Sequence, residues 1–234
     1  ALINLGVALQ DQDRAEDAED CYRKAIALAP GNAKAHSYLG LTLQEMERLQ
    51  DAVDCYRKAI ALDPGYAVAH NNLGGALERL GRFEDAITSY QTAISLDPDY
   101  AEAHCNLGHM QLLARDYENG WKGYHWRWRV DDFISPYRNF NQPVWQGEPI
   151  DGKKILLWPE QGIGDELHFS GLVPSLIERG ADIILESDDR LAPLFSRSFP
   201  MVTCIGRNDP AAKALERDID FHTPIGGLGP FFHQ

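Results

Sequence analysis

Along the first half of the chain apolar residues fall at the spacing of amphipathic helices, as in "AHSYLGLTLQEMERLQDAVDCYRKAIALDP", residues 35–64. Two helices are predicted there. The small Gly40 and Ala52 let them approach closely, and Pro64 stops the second. The pattern then changes. Residues 131–152, "DDFISPYRNFNQPVWQGEPIDG", hold prolines and no helical period, and read as a linker. Beyond it, "KKILLW" reads as a buried strand, "GDELHFSGLVPSLIERG" as a helix interrupted by Pro174, and "ADIILESD" as a second strand. "RLAPLFSRSF" reads as a helix, and "VTCIG" and "DIDFHTPI" as short strands. Such alternation predicts a parallel sheet.

The first half is periodic. Leu-Gly occurs at Leu5-Gly6, Leu39-Gly40, Leu73-Gly74 and Leu107-Gly108, each 34 residues after the last. Alanine keeps the same step at Ala18, Ala52 and Ala86 and at Ala25, Ala59 and Ala93. Tyrosine keeps it at Tyr22, Tyr56, Tyr90 and Tyr124, and proline at Pro30, Pro64 and Pro98. The pattern resembles the tetratricopeptide repeat (TPR), a helical hairpin of 34 residues, over about residues 1–130. One hairpin cannot bury its own apolar face, so stacked units form a curved solenoid lined inside by the first helix of each pair. The chain opens within a unit, at "ALINLG" and without methionine, so further repeats are expected upstream.

Several ladders follow from the period. His36, His70 and His104 could suggest a metal site, but neighbouring repeats lie ~10 Å apart and metal–nitrogen bonds are only ~2 Å, so structural histidines are expected. Cys21 and Cys55 are likewise one repeat apart, and no disulfide is expected. Asn4, Asn72 and Asn106 each precede Leu-Gly, with Tyr38 breaking the series. A row of amides in the concave groove offers donors and acceptors to an extended peptide backbone. The row is similar to the asparagine ladder of the O-GlcNAc transferase repeats, although asparagine also tolerates a half-exposed helical position.

In the fourth repeat Gly120 and Arg127 replace alanines, and Trp121, Trp126 and Trp128 bring three of the five tryptophans together. Such bulk is expected to end the solenoid, with an aromatic platform for a nucleobase as the sharper alternative.

Charge and composition narrow the classes. A net charge of -13 without a Lys/Arg cluster argues against nucleic-acid binding. Residues 1–118 carry 10 basic and 19 acidic side chains, which favours a basic partner but is also what solubility selects. No apolar run reaches the ~20 residues of a membrane span, no signal peptide is present, and no CxxC pair occurs. A cytoplasmic protein with reduced thiols is expected.

The loop "PEQGIGDE" falls at the carboxyl end of the first predicted strand, the functional edge of a parallel sheet. It is neither a P-loop nor a dinucleotide fingerprint, since Leu167 stands where the third glycine belongs. Asp165 and Glu166 would repel a phosphate at the helix start. Two readings of Asp165 remain, a helix N-cap or a carboxylate presented to substrate.

The stretches "WQGEPIDGKKILLWPEQGIGDELHF", "GADIILESDDRLAPLF" and "DFHTPIGGLG" resemble bacterial TPR proteins with a glycosyltransferase-like region after their repeats. "GDELHFSGLVPSL" is similar to the start of the lipopolysaccharide heptosyltransferases, with Asp165, His168 and Pro174 matching in kind and Pro174 displaced. The resemblance implies an α solenoid followed by a partial α/β Rossmann-like domain, the acceptor half of a GT-B fold, at residues 153–234. It implies Asp165 as general base of an inverting transfer. His168 would orient substrate or cap a polar face, and Glu160, Gln161, Gly162 and Gly164 would lie at the substrate. No metal is implied. The chain reaches "GGLGPFFHQ" before a second half could bind a nucleotide-sugar donor, so no cofactor is expected here and a longer protein is. The expected function is peptide or protein binding coupled to a glycosyltransferase-like domain. The alternative is a non-catalytic scaffold with an α/β cap. The oligomeric state stays open.

Overall fold

The computed structural model describes residues 1–130, 133, 138–160, 162–210 and 218–232. It divides into a helical unit, Ala1–Arg127, and a sheet unit, Trp128–Gln234.

The helical unit is a series of hairpins: α1 (Leu2–Gln10) with α2 (Ala15–Leu28), α3 (Ala33–Glu45) with α4 (Leu49–Leu62), α5 (Ala67–Arg79) with α6 (Phe83–Leu96), and α7 (Ala101–Leu113) with α8 (Tyr117–His125). Each turn between paired helices passes through one left-handed residue: Asp13, Glu47, Gly81 and Arg115, with φ of 57°, 60°, 73° and 62°. The next residue then closes the turn, as when the Arg48 N–H donates to Leu43 O at 2.8 Å. Within a hairpin the recurring spacing of glycine and tyrosine has a steric cause. A Cβ on Gly40 would lie 2.7 Å from Tyr56 Cε1, so only glycine lets the wholly buried Tyr56 ring seat against α3. The ring's hydroxyl donates to Gln44 Oε1 at 3.2 Å, as that of Tyr22 does to Gln10 Oε1 at 2.6 Å.

The fourth hairpin is closed differently. A Cβ on Gly108 would meet the Gly123 and Tyr124 backbone at 2.7 Å, so α7 and α8 touch main chain to main chain. Gly120, where alanine stands in the other repeats, faces Leu112 in the same way. The tryptophans of this stretch fall at the end of the helical unit and the start of the sheet unit. Trp121 meets Tyr124 edge-on at 5.6 Å and Trp126 stacks on His104 at 3.9 Å, whereas Trp128 belongs to the sheet unit and lies 5.7 Å from Trp158.

In the sheet unit β1 (Lys154–Trp158), β2 (Asp182–Ser187), β3 (Thr203–Gly206) and β4 (Phe221–Pro224) form a parallel sheet among the described residues, in the order β3-β2-β1-β4. Ile155 and Leu157 of β1, Ile183 and Leu185 of β2 are buried, consistent with near-continuous apolar runs in a sheet covered on both faces. The expected single helix after β1 is two, α9 (Ile163–Ser170) and α10 (Val173–Glu178). The break falls at Gly171 and Leu172 rather than at Pro174, which sits in the first turn of α10 where a missing N–H leaves no bond unmade. α11 (Ala192–Ser198) joins β2 to β3, and a 3₁₀ turn (Ile225–Leu228) and α12 (Gly229–Phe232) follow β4. Part of the stretch read as a linker pairs with β4: the Trp145 N–H donates to His222 O at 2.9 Å and the His222 N–H to Pro143 O at 3.2 Å. Trp145 is buried.

Candidate functional sites

The first candidate site is the amide row of the helical unit. Asn72 on α5 and Asn106 on α7 are half-buried, and Asn4 stands exposed on α1, two repeats away from Asn72. Tyr38, where the row is broken, stacks on Tyr22 at 5.6 Å. Asn72 and Asn106 are drawn together by a residue the sequence reading passed over, Asn71. The Asn106 Nδ2 donates to Asn71 Oδ1 at 3.0 Å, and the Asn71 Nδ2 points to Asn72 Oδ1 at a longer 3.5 Å. Asn71 is itself buried. Its signal was the Asn-Asn doublet, since an amide on the buried side of a helix must find partners.

The histidine ladder is a brace at each helix entrance. Nε2 of His36, His70 and His104 donates to the carbonyl of Pro30, Pro64 and Pro98 at 3.1, 3.2 and 2.9 Å. Burial pushes the thiols of Cys55 and Cys105 up to about 11, so neither is a thiolate at neutral pH.

The second candidate site is the carboxyl edge of the sheet. The chain leaves β1 toward β2 and β3 on one side and returns to β4 on the other, so β1 and β4 flank the topological switch point where open sheets take ligands. Two glycine-bearing segments meet there. After β1 come Glu160, Gly162, Gly164 and Asp165; after β4 comes the Ile225–Leu228 turn. Glu160 is wholly buried, and a Cβ on Gly226 would strike its Oε1 and come within 3.2 Å of Phe169. Glu160 is therefore packed beneath the turn after β4. Gly162 and Gly164 have open space where a side chain would stand. Gln161 lies outside the described residues.

Asp165 is not the N-cap. Gly162 holds that position, and the Asp165 N–H donates to its carbonyl at 3.0 Å. Asp165 is the third residue of α9, half-buried, its charge in the helical turn where the dipole favours an anion. Phe169, one turn on, touches the Gly226 turn, so Asp165 lies on the same side of α9. His168 is exposed, its ring edge-on to Phe169 at 5.0 Å.

Glu166 was expected, with Asp165, to repel a phosphate at the helix start. It is buried, accepting the Asp188 N–H on Oε2 at 2.8 Å and pairing through Oε1 with Arg207 at 3.3 Å. Burial raises its pKa, and the Asp188 amide and Arg207 oppose that rise. The residue thus ties α9 to the loops after β2 and β3. Glu186 on β2 is also buried, both carboxylate oxygens 2.8 Å from Arg138 Nη1. Arg190 holds Asp188 down to about 2. No signal short of a folded sheet distinguishes Glu166 from its exposed neighbours, because its partners lie 22 and 41 positions away.

Among the described residues no cluster of His, Cys, Asp and Glu could hold a metal ion, and no helix is long and apolar enough to cross a membrane.

Residues 1–65 and 55–88 match models described as tetratricopeptide repeat, and residues 79–113 one described as TPR repeat. The helical unit is thus built from tetratricopeptide repeats. Among curated proteins the chain is similar to Protein FlbA of Caulobacter vibrioides, 36% identical over 86 residues, which are 36% of this chain and 14% of that protein. Among solved structures it is similar to PilF of Pseudomonas aeruginosa, 28% identical with a TM-score of 0.52, covering 56% of this chain and 60% of that one. It is also similar to a Thermobaculum terrenum O-GlcNAc transferase mutant, 26% identical with a TM-score of 0.52. That likeness covers 94% of this chain and 40% of the transferase, and so runs through both the repeats and the sheet.

Proposed function

We propose that the repeats hold an extended protein segment and that the sheet unit is the acceptor half of an inverting nucleotide-sugar transferase. The observation that carries this reading is the likeness to the O-GlcNAc transferase over 94% of the chain, which takes in both its repeats and its parallel sheet. In such a transfer a base removes the acceptor hydroxyl proton as its oxygen attacks the anomeric carbon of the donor sugar. Asp165 is the group we assign that task. It stands half-buried beside Gly162 and Gly164, whose missing side chains leave room for an acceptor. His168 is positioned one turn along to orient that acceptor, and Glu160 fixes the loop from beneath. The nucleotide-sugar donor is the second substrate and would be held by a partner half of the fold.

In the full-length protein, Asp165→Asn is expected to slow sugar transfer by about 10²- to 10⁴-fold while leaving peptide affinity unchanged. Transfer at the original rate by a folded variant rejects the base assignment. It would favour a second reading, a binding scaffold with a structural α/β cap. The groove has its own test. Replacing Asn72 and Asn106 together by alanine is expected to weaken binding of a bound peptide about tenfold or more, at roughly 1 kcal/mol for each amide hydrogen bond. Unchanged affinity would reject the ladder.

A further inference from the structure

Two amides of the row are not free to turn, and the residue that holds them belongs to neither the repeat consensus nor the row itself. We infer that Asn71 sets the donor–acceptor polarity with which Asn72 and Asn106 meet a peptide backbone. The inference rests on the groove reading above and adds to it a positioning residue and a direction.

A side-chain amide has a donating edge and an accepting edge, and which one faces outward is decided by what the other edge is bonded to. Asn106 donates its Nδ2 inward to Asn71 Oδ1 at 3.0 Å, which turns its Oδ1 edge away from α5. Asn72 has its Oδ1 edge toward Asn71 Nδ2 at 3.5 Å, which turns its own NH₂ away. Asn71 is 8% exposed, so it cannot exchange these partners for water without moving. Tyr100, at the entrance to α7, stays protonated at neutral pH: burial pushes its phenol up to about 12, against a smaller opposing effect of the Asn71 side chain.

The consequence is a fixed complementary pair. Asn72 presents a donor suited to a peptide carbonyl, and Asn106 presents an acceptor suited to a peptide N–H. Helices of neighbouring repeats lie ~10 Å apart, close to the ~9.3 Å that three residues of polyproline-II chain span. An extended segment can therefore offer one carbonyl and, three residues on, one N–H to the two amides. Repeat 2 has no equivalent device, because Ser37 stands where Asn71 does and Tyr38 where Asn72 does.

The test reads the amides directly and then through a ligand without side chains. In the ¹⁵N-labelled chain, hydrogen exchange of the side-chain NH₂ groups is measured first. The Asn106 group is expected to be protected and the Asn72 group to exchange freely. Hexaglycine is then titrated to millimolar concentration while both NH₂ signals are followed, and the titration is repeated with hexasarcosine, which keeps the carbonyls and lacks the N–H groups. Hexasarcosine is expected to bind about tenfold more weakly, the loss of one hydrogen bond to Asn106 Oδ1. Asn71→Leu should abolish the protection and the discrimination together. Asn71→Asp, which can still accept from Asn106 but cannot donate to Asn72, should keep both for Asn106. If Asn71→Leu does not fold, the exchange and discrimination in the unsubstituted chain and in Asn71→Asp still decide. An Asn106 group that exchanges as fast as Asn72, or equal binding of the two probes, overturns the inference while the groove reading stands. A protected Asn106 with no response to hexaglycine overturns the groove reading, and the inference with it.

Discussion

In the helical unit one steric event is repeated: Gly6 against Tyr22, Gly40 against Tyr56 and Gly74 against Tyr90. In the sheet unit Gly226 meets Glu160 once. Both are glycines that exist because a side chain occupies the place of their Cβ, yet only the first kind announces itself in a sequence. A contact made several times at a fixed interval becomes a pattern. A contact made once, between residues far apart in sequence, becomes visible only when the strands that carry them are paired. The candidate sites follow the same division: the amide row is written by the period, and the sheet edge by topology.

The comparison can be broken first within the repeats themselves. If the glycines merely keep a repeat consensus, replacing any of them should cost the same. If the structural cause is right, Gly108→Ala should be the costliest, because its Cβ would meet the Gly123 and Tyr124 main chain, which has no rotamer to yield. A loss of about 3 kcal/mol or more is expected in chemical denaturation. Gly40→Ala should cost about 1–3 kcal/mol, since the Tyr56 ring can shift at the expense of its buried seat. Gly31→Ala, with nothing near its Cβ, should stay within about 0.5 kcal/mol. Equal effects at Gly40 and Gly108 would mean that the fourth hairpin is closed like the others.

The sheet unit offers a matching test at Glu166. Glu166→Ala leaves the Asp188 N–H and Arg207 without their acceptor, and about 1–3 kcal/mol is expected to be lost. Glu166→Gln can still accept the N–H and forfeits only the ion pair with a half-exposed guanidinium, so a loss under about 1 kcal/mol is expected. Equal losses would place the stabilisation in the ion pair rather than in the bond to the β2 loop.

These positions also mark what the chain's letters disclose. The hairpins, the strands and the parallel sheet were legible, because helical spacing, buried runs and helix stops act over a few residues. Asp165 was legible as a first-turn carboxylate, but its place at the third helical position depended on Gly162 serving as the N-cap. Asn71, Glu166 and Glu186 were not, because burying a polar side chain needs a partner from another element, and periodicity carries no record of that partner. The aromatic run was legible as the end of the repeats, because bulk where small residues are expected is a local signal: Trp121 and Trp126 belong to the helical unit and Trp128 to the sheet unit.

The smallest expected effect concerns acid, and it separates the units by the environment of their histidines. His36, His70 and His104 each spend one nitrogen on a proline carbonyl. His222 is enclosed at the centre of the sheet unit, accepting on Nδ1 from Trp158 Nε1 at 3.2 Å, with the Phe140 ring 4.3 Å away. Burial lowers its pKa below 6.5, and the positive charge of Arg138 adds to this, against a bond to the Gln142 backbone that opposes it. Above pH 6.5 the histidine is neutral whether the chain is folded or not, and it contributes no pH dependence. As the pH falls below 6.5 the unfolded histidine takes up a proton that the buried one resists, so stability is lost down to the folded pKa and levels off beneath it. His222→Gln can still accept from Trp158 on its side-chain oxygen, and it does not titrate. Denaturation midpoints between pH 8 and 5 should therefore converge as the pH falls, the native chain losing stability relative to the glutamine variant. Parallel curves would mean that His222 titrates in the folded chain as it does in the unfolded one, and that the sheet unit admits water to its centre.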